Sequence, residues 1–314
     1  MRIAVVGATG NIGARLCRRL LAAGHEVRVL SRGGEKLDEL VTLGAEPFLG
    51  SFDAGTPGLE SFFRDADAAF TMVKTDWSNL HSHYAAVAER LVSALQGSPV
   101  KRVVNLSSFG GDVTDGSGHF VGFYELEQIL NRLSGISVVH LRAGYFMENL
   151  LAWVEVVARH GKMPWYFSPD LKLPYVATRD IAEVAARELL APAGAGHVVR
   201  EVGSEDLTLA EVAEIIGREI GRPVEALSIP MNRPGLREEV LRRGATPERW
   251  GYDVETHGAK NDGRIRFHTT RPPLPTRVAD FIHETWRPAY EEAVATMASR
   301  PEDFRSWLAR LDGR

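Results

Sequence analysis

Ile3-Ala4-Val5-Val6-Gly7-Ala8-Thr9-Gly10-Asn11-Ile12-Gly13 is the stretch on which the fold turns. Ile3 to Val6 form a short apolar run, and from Asn11 to Ala23 the side chains of Ile12, Leu16, Leu20 and Leu21 recur at helical spacing. The pattern predicts a strand, a glycine turn and a helix. In the GxxGxxG spacing, the first glycine permits a tight turn, the second lets the backbone approach a pyrophosphate, and the third lets the helix pack on the strand. The helix N-terminus then offers N–H groups and the positive end of its dipole to phosphates. Glycines also serve turns that bind nothing, but this set lies between a strand and a helix, where a dinucleotide site requires it.

Gly24 closes the helix, and Val27, Val29 and Leu30 make a second strand, completing a βαβ unit. That strand ends at Ser31 and Arg32, with Lys36 close by. A carboxylate at this position holds a ribose 2'-hydroxyl, whereas a 2'-phosphate needs cations. The residues point to NADP(H) as cofactor. The competing reading is a solvated Arg32 neutralised by Glu35.

Outward from this unit, strands are predicted at 46–49, 68–73, 100–106 and 138–141, with helices at 35–43, 79–96 and 125–133. Alternation of this kind predicts an α/β fold, a Rossmann-type doubly wound parallel sheet. After Gly144 the rhythm breaks. A helix over 146–160, an aromatic stretch at 164–167, a helix over 178–190, a late strand at 197–202 and a helix over 208–220 follow. We divide the chain into a dinucleotide-binding domain, 1–146, which the segment near 178–202 rejoins, and a smaller C-terminal substrate-binding lobe, 147–314. Residues 230–275 read as irregular. The tail from Thr276 carries Phe281, Trp286, Tyr290, Phe304 and Trp307, too many large apolar groups for a solvated extension, so it is expected to pack as a lid or between subunits of a homo-oligomer.

With 314 residues, 44% of them hydrophobic and 25% charged, the chain can bury a sizeable core. A net charge of -4 gives no field for nucleic acid. A lone cysteine, Cys17, excludes an intrachain disulfide and a cysteine-rich metal site. No apolar run approaches the roughly 20 residues that span a bilayer, and the first strand starts at once, so a cytoplasmic location is expected.

Several segments in order resemble the NmrA-like branch of the atypical short-chain dehydrogenase/reductases, over roughly residues 1 to 230. They are GATGNIG at 7–13, VVNLSSFG at 103–110, LRAGYFMENL at 141–150, VATRDIAEVAA at 176–186 and the Glu205-Asp206-Leu207-Thr208 turn. The resemblance implies that Gly7, Thr9, Gly10, Asn11, Ile12 and Gly13 hold the pyrophosphate and that Arg32 selects the 2'-phosphate. It places Val73 and Lys74 near the cofactor ribose, Ser107 and Ser108 near the nicotinamide, and Gly144, Tyr145 and Phe146 beside its carboxamide. Ala143 stands where the family usually has proline. Many active members carry a lysine, sometimes with a tyrosine four residues earlier, on the helix after the fifth strand; here those positions hold Phe123 and His119. Phenylalanine cannot donate a hydrogen bond. A histidine titrates near pH 6.5 and suits proton transfer, so His119 or the neighbouring Tyr124 takes the acid role.

The preferred expectation is an NADPH-dependent reductase of a small, largely apolar carbonyl, quinone or other unsaturated compound. Ser108 would orient the acceptor oxygen, and His119, Tyr124 or water would supply the proton. Two alternatives stay open: a non-catalytic NADP(H) sensor that binds a protein partner, and a non-redox catalyst on the same fold. Ser107 and Ser108 lack the GxSxG surround of a hydrolase. His81 and His83 point to different helix faces, which argues against a metal pair. Trp153, Trp165, Tyr166, Phe167 and Tyr175 either stack on a flat ligand or fill a core.

Overall fold

A computed structural model describes residues 1–77, 79–269, 271–297 and 304–311; the side chains of His81 and Phe304 lie outside what is described, as do 298–303 and 312–314 of the tail. The strands in chain order are β1 (Arg2–Val6), β2 (Glu26–Ser31), β3 (Glu46–Leu49), β4 (Ala68–Thr71), β5 (Arg102–Ser108), β6 (Ser137–Ala143), β7 (Tyr145–Phe146), β8 (Lys162–Trp165), β9 (Lys172–Val176), β10 (His197–Val202), β11 (Glu205–Thr208) and β12 (Glu225–Ser228). Contacts divide the chain into two compact units, Met1–Ala143 with Thr178–Val202, and Gly144–Ala177 with Gly203–Arg314.

The first unit is a seven-stranded sheet in the order β10-β6-β5-β4-β1-β2-β3. Every pair is parallel. β1 and β4, at its centre, are buried along almost their whole length, which is why they read as continuous apolar runs rather than alternating ones. The strand order reverses between β1 and β4, and open α/β sheets bind ligands at the carboxyl ends of the strands beside that point. The helix predicted over 125–133 begins earlier, spanning Phe120–Leu130.

One row of polar side chains crosses the buried sheet in register. Thr71 pairs with Asn105, and Asn105 with His140. Thr71 Oγ1 donates to Asn105 Oδ1 (3.1 Å), Asn105 Nδ2 lies 3.2 Å from His140 Nδ1, and His140 Nε2 lies 2.8 Å from Asn131 Oδ1. The amide can only donate to Nδ1, so the imidazole is neutral with its proton on Nε2. Burial, helped by the charge of Arg142, holds the His140 pKa down at about 3.

The second unit carries two small sheets, β11-β9-β7 and β12-β8. These were not predicted, because each strand is short and Pro164 and Pro174 interrupt two of them. The boundary falls after Ala143 rather than Phe146, since Tyr145 and Phe146 pair with Tyr175 and Val176. The helix expected over 146–160 is a 3₁₀ stretch, Met147–Trp153, followed by an α-helix, Val154–His160. Two helices, Leu236–Arg242 and Pro247–Asn261, occupy the segment read as irregular. The second had a legible start: Thr246 accepts the Arg249 N–H and Pro247 opens the first turn.

The tail packs into the core of its own unit. Val278, Phe281, Ile282 and Trp286 are buried, and Trp286 Nε1 donates to Leu150 O at 2.9 Å. Leu308 joins Leu227, Ile229, Leu236 and Trp250 in a separate cluster. Among the described residues no helix is long and apolar enough to cross a membrane, and no cluster of side chains is suited to a metal ion.

Candidate functional site

The glycine turn owes its shape to three different constraints. Gly7 has φ +74°, a conformation that side-chain-bearing residues avoid, and a Cβ there would collide with the Met72 thioether. At Gly13 a Cβ would meet the Gly7 carbonyl and come within 2.8 Å of Ala8 Cα, so this glycine sets the helix-to-strand distance. Gly10 is looser: a Cβ would lie 3.3 Å from Gly7 O. Gly10 is the N-cap of the helix Asn11–Ala22, with no side chain capping it, and the first intrahelical bond runs from Ala14 N–H to Gly10 O. The N–H groups of Asn11, Ile12 and Gly13 precede that bond, and N–H groups so placed at a helix N-terminus suit an anion.

Around this turn lies an open groove of about 270 Å³. Gly7, Thr9 and Gly10 form its floor, Ser31 and Arg32 one wall, and Lys74 another. Arg32 is exposed and has no ion-pair partner among the described residues; Glu35 does not neutralise it. Ser31 Oγ accepts the Gly33 N–H (3.2 Å), which leaves its proton for a ligand. Lys36 is exposed on the next helix and does not line the groove, and the Val73 side chain is buried. Ser51, Phe52 and Asp53 complete the wall beyond Arg32. Sequence reading passed over them, because their place follows from β3 lying beside β2. Two cations, an uncapped helix N-terminus and one carboxylate fit a dinucleotide bearing a 2'-phosphate.

The residues assigned to the nicotinamide end are scattered over different surroundings. Ser107 Oγ donates to Glu127 Oε1 at 2.5 Å and is committed to the core. Ser108 ends β5 half-buried, and its carbonyl accepts the Gly111 N–H. His119 is the N-cap residue of the helix Phe120–Leu130, its ring 5.2 Å from Trp77 and 4.2 Å from Phe120. Tyr124 faces a shallow groove shared with Ser82, Ala85 and Gln128, and among the described residues it makes no hydrogen bond or ring contact with His119. Phe123 lies against Tyr84, with ring centroids 5.3 Å apart. His83 is no bystander: its Nε2 sits 2.9 Å from Lys74 O and 3.6 Å from Asp53 Oδ1.

Gly144, Tyr145 and Phe146 belong to the second unit. A Cβ on Gly144 would strike the Pro174 carbonyl, so the close approach of the two backbones requires glycine. The Tyr145 ring touches Trp165 and Tyr175, and burial raises its phenol well above the ordinary range. Trp153, Trp165 and Phe167 continue this packed aromatic cluster. Lys260, not singled out from sequence, lies 4.7 Å above Phe167, and burial lowers its pKa to about 7.

The model of the NmrA-like family matches residues 1–236. An NAD(P)H azoreductase of Xenophilus azovorans is 28% identical over 236 residues, 74% of this chain and 78% of that protein. Pinoresinol reductase 1 of Arabidopsis thaliana is 30% identical over 250 residues, 73% of this chain and 77% of that protein. Among solved structures, an NADPH-dependent quinone oxidoreductase of Escherichia coli superposes with a TM-score of 0.68 at 19% identity, covering 90% of this chain and 99% of the other, a likeness of fold. The chain therefore belongs to the NmrA-like family of atypical short-chain dehydrogenase/reductases.

Proposed function

We propose that this NAD(P)-dependent oxidoreductase uses NADPH to reduce a small, largely apolar carbonyl, quinone or other unsaturated compound. The observation that carries the cofactor half is Arg32, without an ion-pair partner among the described residues, lining the same groove as Lys74 and the glycine turn. The substrate half draws on relatives named for azo compounds, pinoresinol and quinones. In this reading the backbone of Gly10 to Gly13 holds the pyrophosphate, while Arg32 and Ser31 hold the 2'-phosphate. When bound, the cofactor supplies a hydride. Ser108 and His119 remain the proposed contacts to the acceptor, with Tyr124 as the alternative proton donor.

Phe123 supports a second reading, a non-catalytic NADP(H) sensor, because it removes the lysine that many active members use. Stopped-flow absorbance at the NADPH band, with quinones, azo dyes and aryl ketones as acceptors, separates the two. Oxidation of bound NADPH by any of these supports the reductase. Tight NADPH binding with no oxidation across the panel supports the sensor and overturns the reductase.

A further inference from the structure

Two consecutive residues of the helix Leu80–Gln96 grip two consecutive residues of the loop after β4. His83 Nε2 lies 2.9 Å from Lys74 O, and Tyr84 Oη lies 3.0 Å from Thr75 Oγ1. Either hydroxyl of the second pair could donate on distance alone. Burial decides between them. Tyr84 is fully buried and, among the described residues, Thr75 is the only hydrogen-bond partner of its phenol. A buried O–H that fails to donate loses a hydrogen bond with nothing in exchange, so the phenol donates and Thr75 Oγ1 accepts. Burial also pushes the Tyr84 pKa up to about 12, which keeps that proton in place. Thr75, only half-buried, is left with its own O–H to direct elsewhere.

The opposite helix is shaped around this phenol. A Cβ on Gly122 would strike the Tyr84 ring, coming within 2.8 Å of Cε2, and Phe123 covers the ring from the next position. Phe123, which stands where many members of the family have lysine, packs on a tyrosine from another helix. Thr75 follows Lys74, which lines the cofactor groove, at the carboxyl end of β4 beside the reversal of strand order.

We propose that Thr75 is a catalytic hydrogen-bond donor to the acceptor atom of the substrate, and that Tyr84 is the positioning residue that turns the threonine proton outward. This rests on the reductase reading. The hydride of NADPH forms the new C–H bond, leaving NADP⁺; the displaced π pair moves to the substrate oxygen. There the Thr75 O–H steadies the growing charge, and a proton from His119 or water completes the reduction. Thr75 keeps its own proton throughout.

The test uses the full chain and NADPH with the acceptor that the panel identifies. Thr75→Val should lower kcat by ten- to a hundredfold while leaving the NADPH Kd within about twofold, and Thr75→Ser should recover most of the rate. Tyr84→Phe, which keeps the ring, should lower kcat several-fold, and Thr75→Val with Tyr84→Phe should be no slower than Thr75→Val alone. An unchanged kcat in Thr75→Val, an NADPH Kd that weakens in step with the rate, or additive losses in the double variant would each overturn the proposal while the reductase reading stands. A wild-type protein that oxidises no NADPH defeats both.

Discussion

Glu127 and Arg142 form a two-pronged ion pair inside the first unit, with Arg142 Nε 3.0 Å from Glu127 Oε1 and Nη2 2.7 Å from Oε2. Glu127 is 2% exposed, and Ser107 Oγ donates to its Oε1 as well. Removing Arg142 leaves the buried Glu127 carboxylate with only the Ser107 hydroxyl, whereas removing Glu127 leaves Arg142 with Asp112 at 3.4 Å. Arg142→Ala should therefore cost about 3–5 kcal/mol, Glu127→Ala less because Asp112 still faces the guanidinium, and the double replacement Glu127→Leu with Arg142→Met less than the two single losses added together. Urea denaturation at pH 7 measures this. Single variants within 1 kcal/mol of wild type would show that the pair contributes nothing.

Two glycines of the turn, Gly13 and Gly10, should separate by phenotype. Gly13→Ala pushes a methyl group into the backbone of Gly7 and Ala8, atoms that cannot move without shifting β1, and should destabilise the fold by about 1–3 kcal/mol. Gly10→Ala meets only Gly7 O at 3.3 Å, so the fold should survive while NADPH binding weakens at least tenfold. Thermal melts paired with a fluorescence titration of NADPH distinguish the two. The idea fails if Gly10→Ala binds normally, because the pyrophosphate then lies elsewhere.

Arg32→Ala should reduce the preference for NADPH over NADH by at least tenfold, about 1.4 kcal/mol, with NADH affinity unchanged. Because Arg32 is exposed, the preference of the wild type should also shrink as salt rises. Calorimetric titration with both cofactors at two ionic strengths is the measurement. Equal loss of both cofactors would mean that Arg32 shapes the groove rather than reading the phosphate.

His140 makes stability fall on the acid side of neutrality. Its pKa is about 3 when folded, against an ordinary 6.5, so between these values the unfolded chain binds a proton that the folded chain refuses. The contribution is complete above about pH 6.5 and is lost as pH falls towards 3, amounting to about 3 kcal/mol by pH 4. Imidazole resonances followed by NMR should show no His140 titration above pH 4. A midpoint near 6.5 would mean that water reaches the Asn105–His140–Asn131 row.

β1, β4, β5 and β6 were legible because strands buried along most of their length spell largely apolar runs, and the first helix because its stripe and its glycines lie within one local window. Arg32 was legible for the same reason, standing at the end of the strand that follows. β7 and β8 were not. They are short, β8 contains Pro164, and their pairing partners lie far along the chain.

Sequence by itself determined the βαβ opening, the parallel class of the sheet, the glycine turn between the first strand and helix and the place of Arg32 at the end of the second strand, since each depends on residues a few positions apart. Tertiary structure alone decided which polar groups are left over for a ligand. Ser107 is spent on Glu127, 20 residues away, whereas Thr75 is freed by Tyr84, which is itself accommodated by Gly122. Asp53 enters the groove through the neighbouring places of β2 and β3. Hydrogen-bond commitments of this kind are settled by long-range packing, and local spacing carries no record of them.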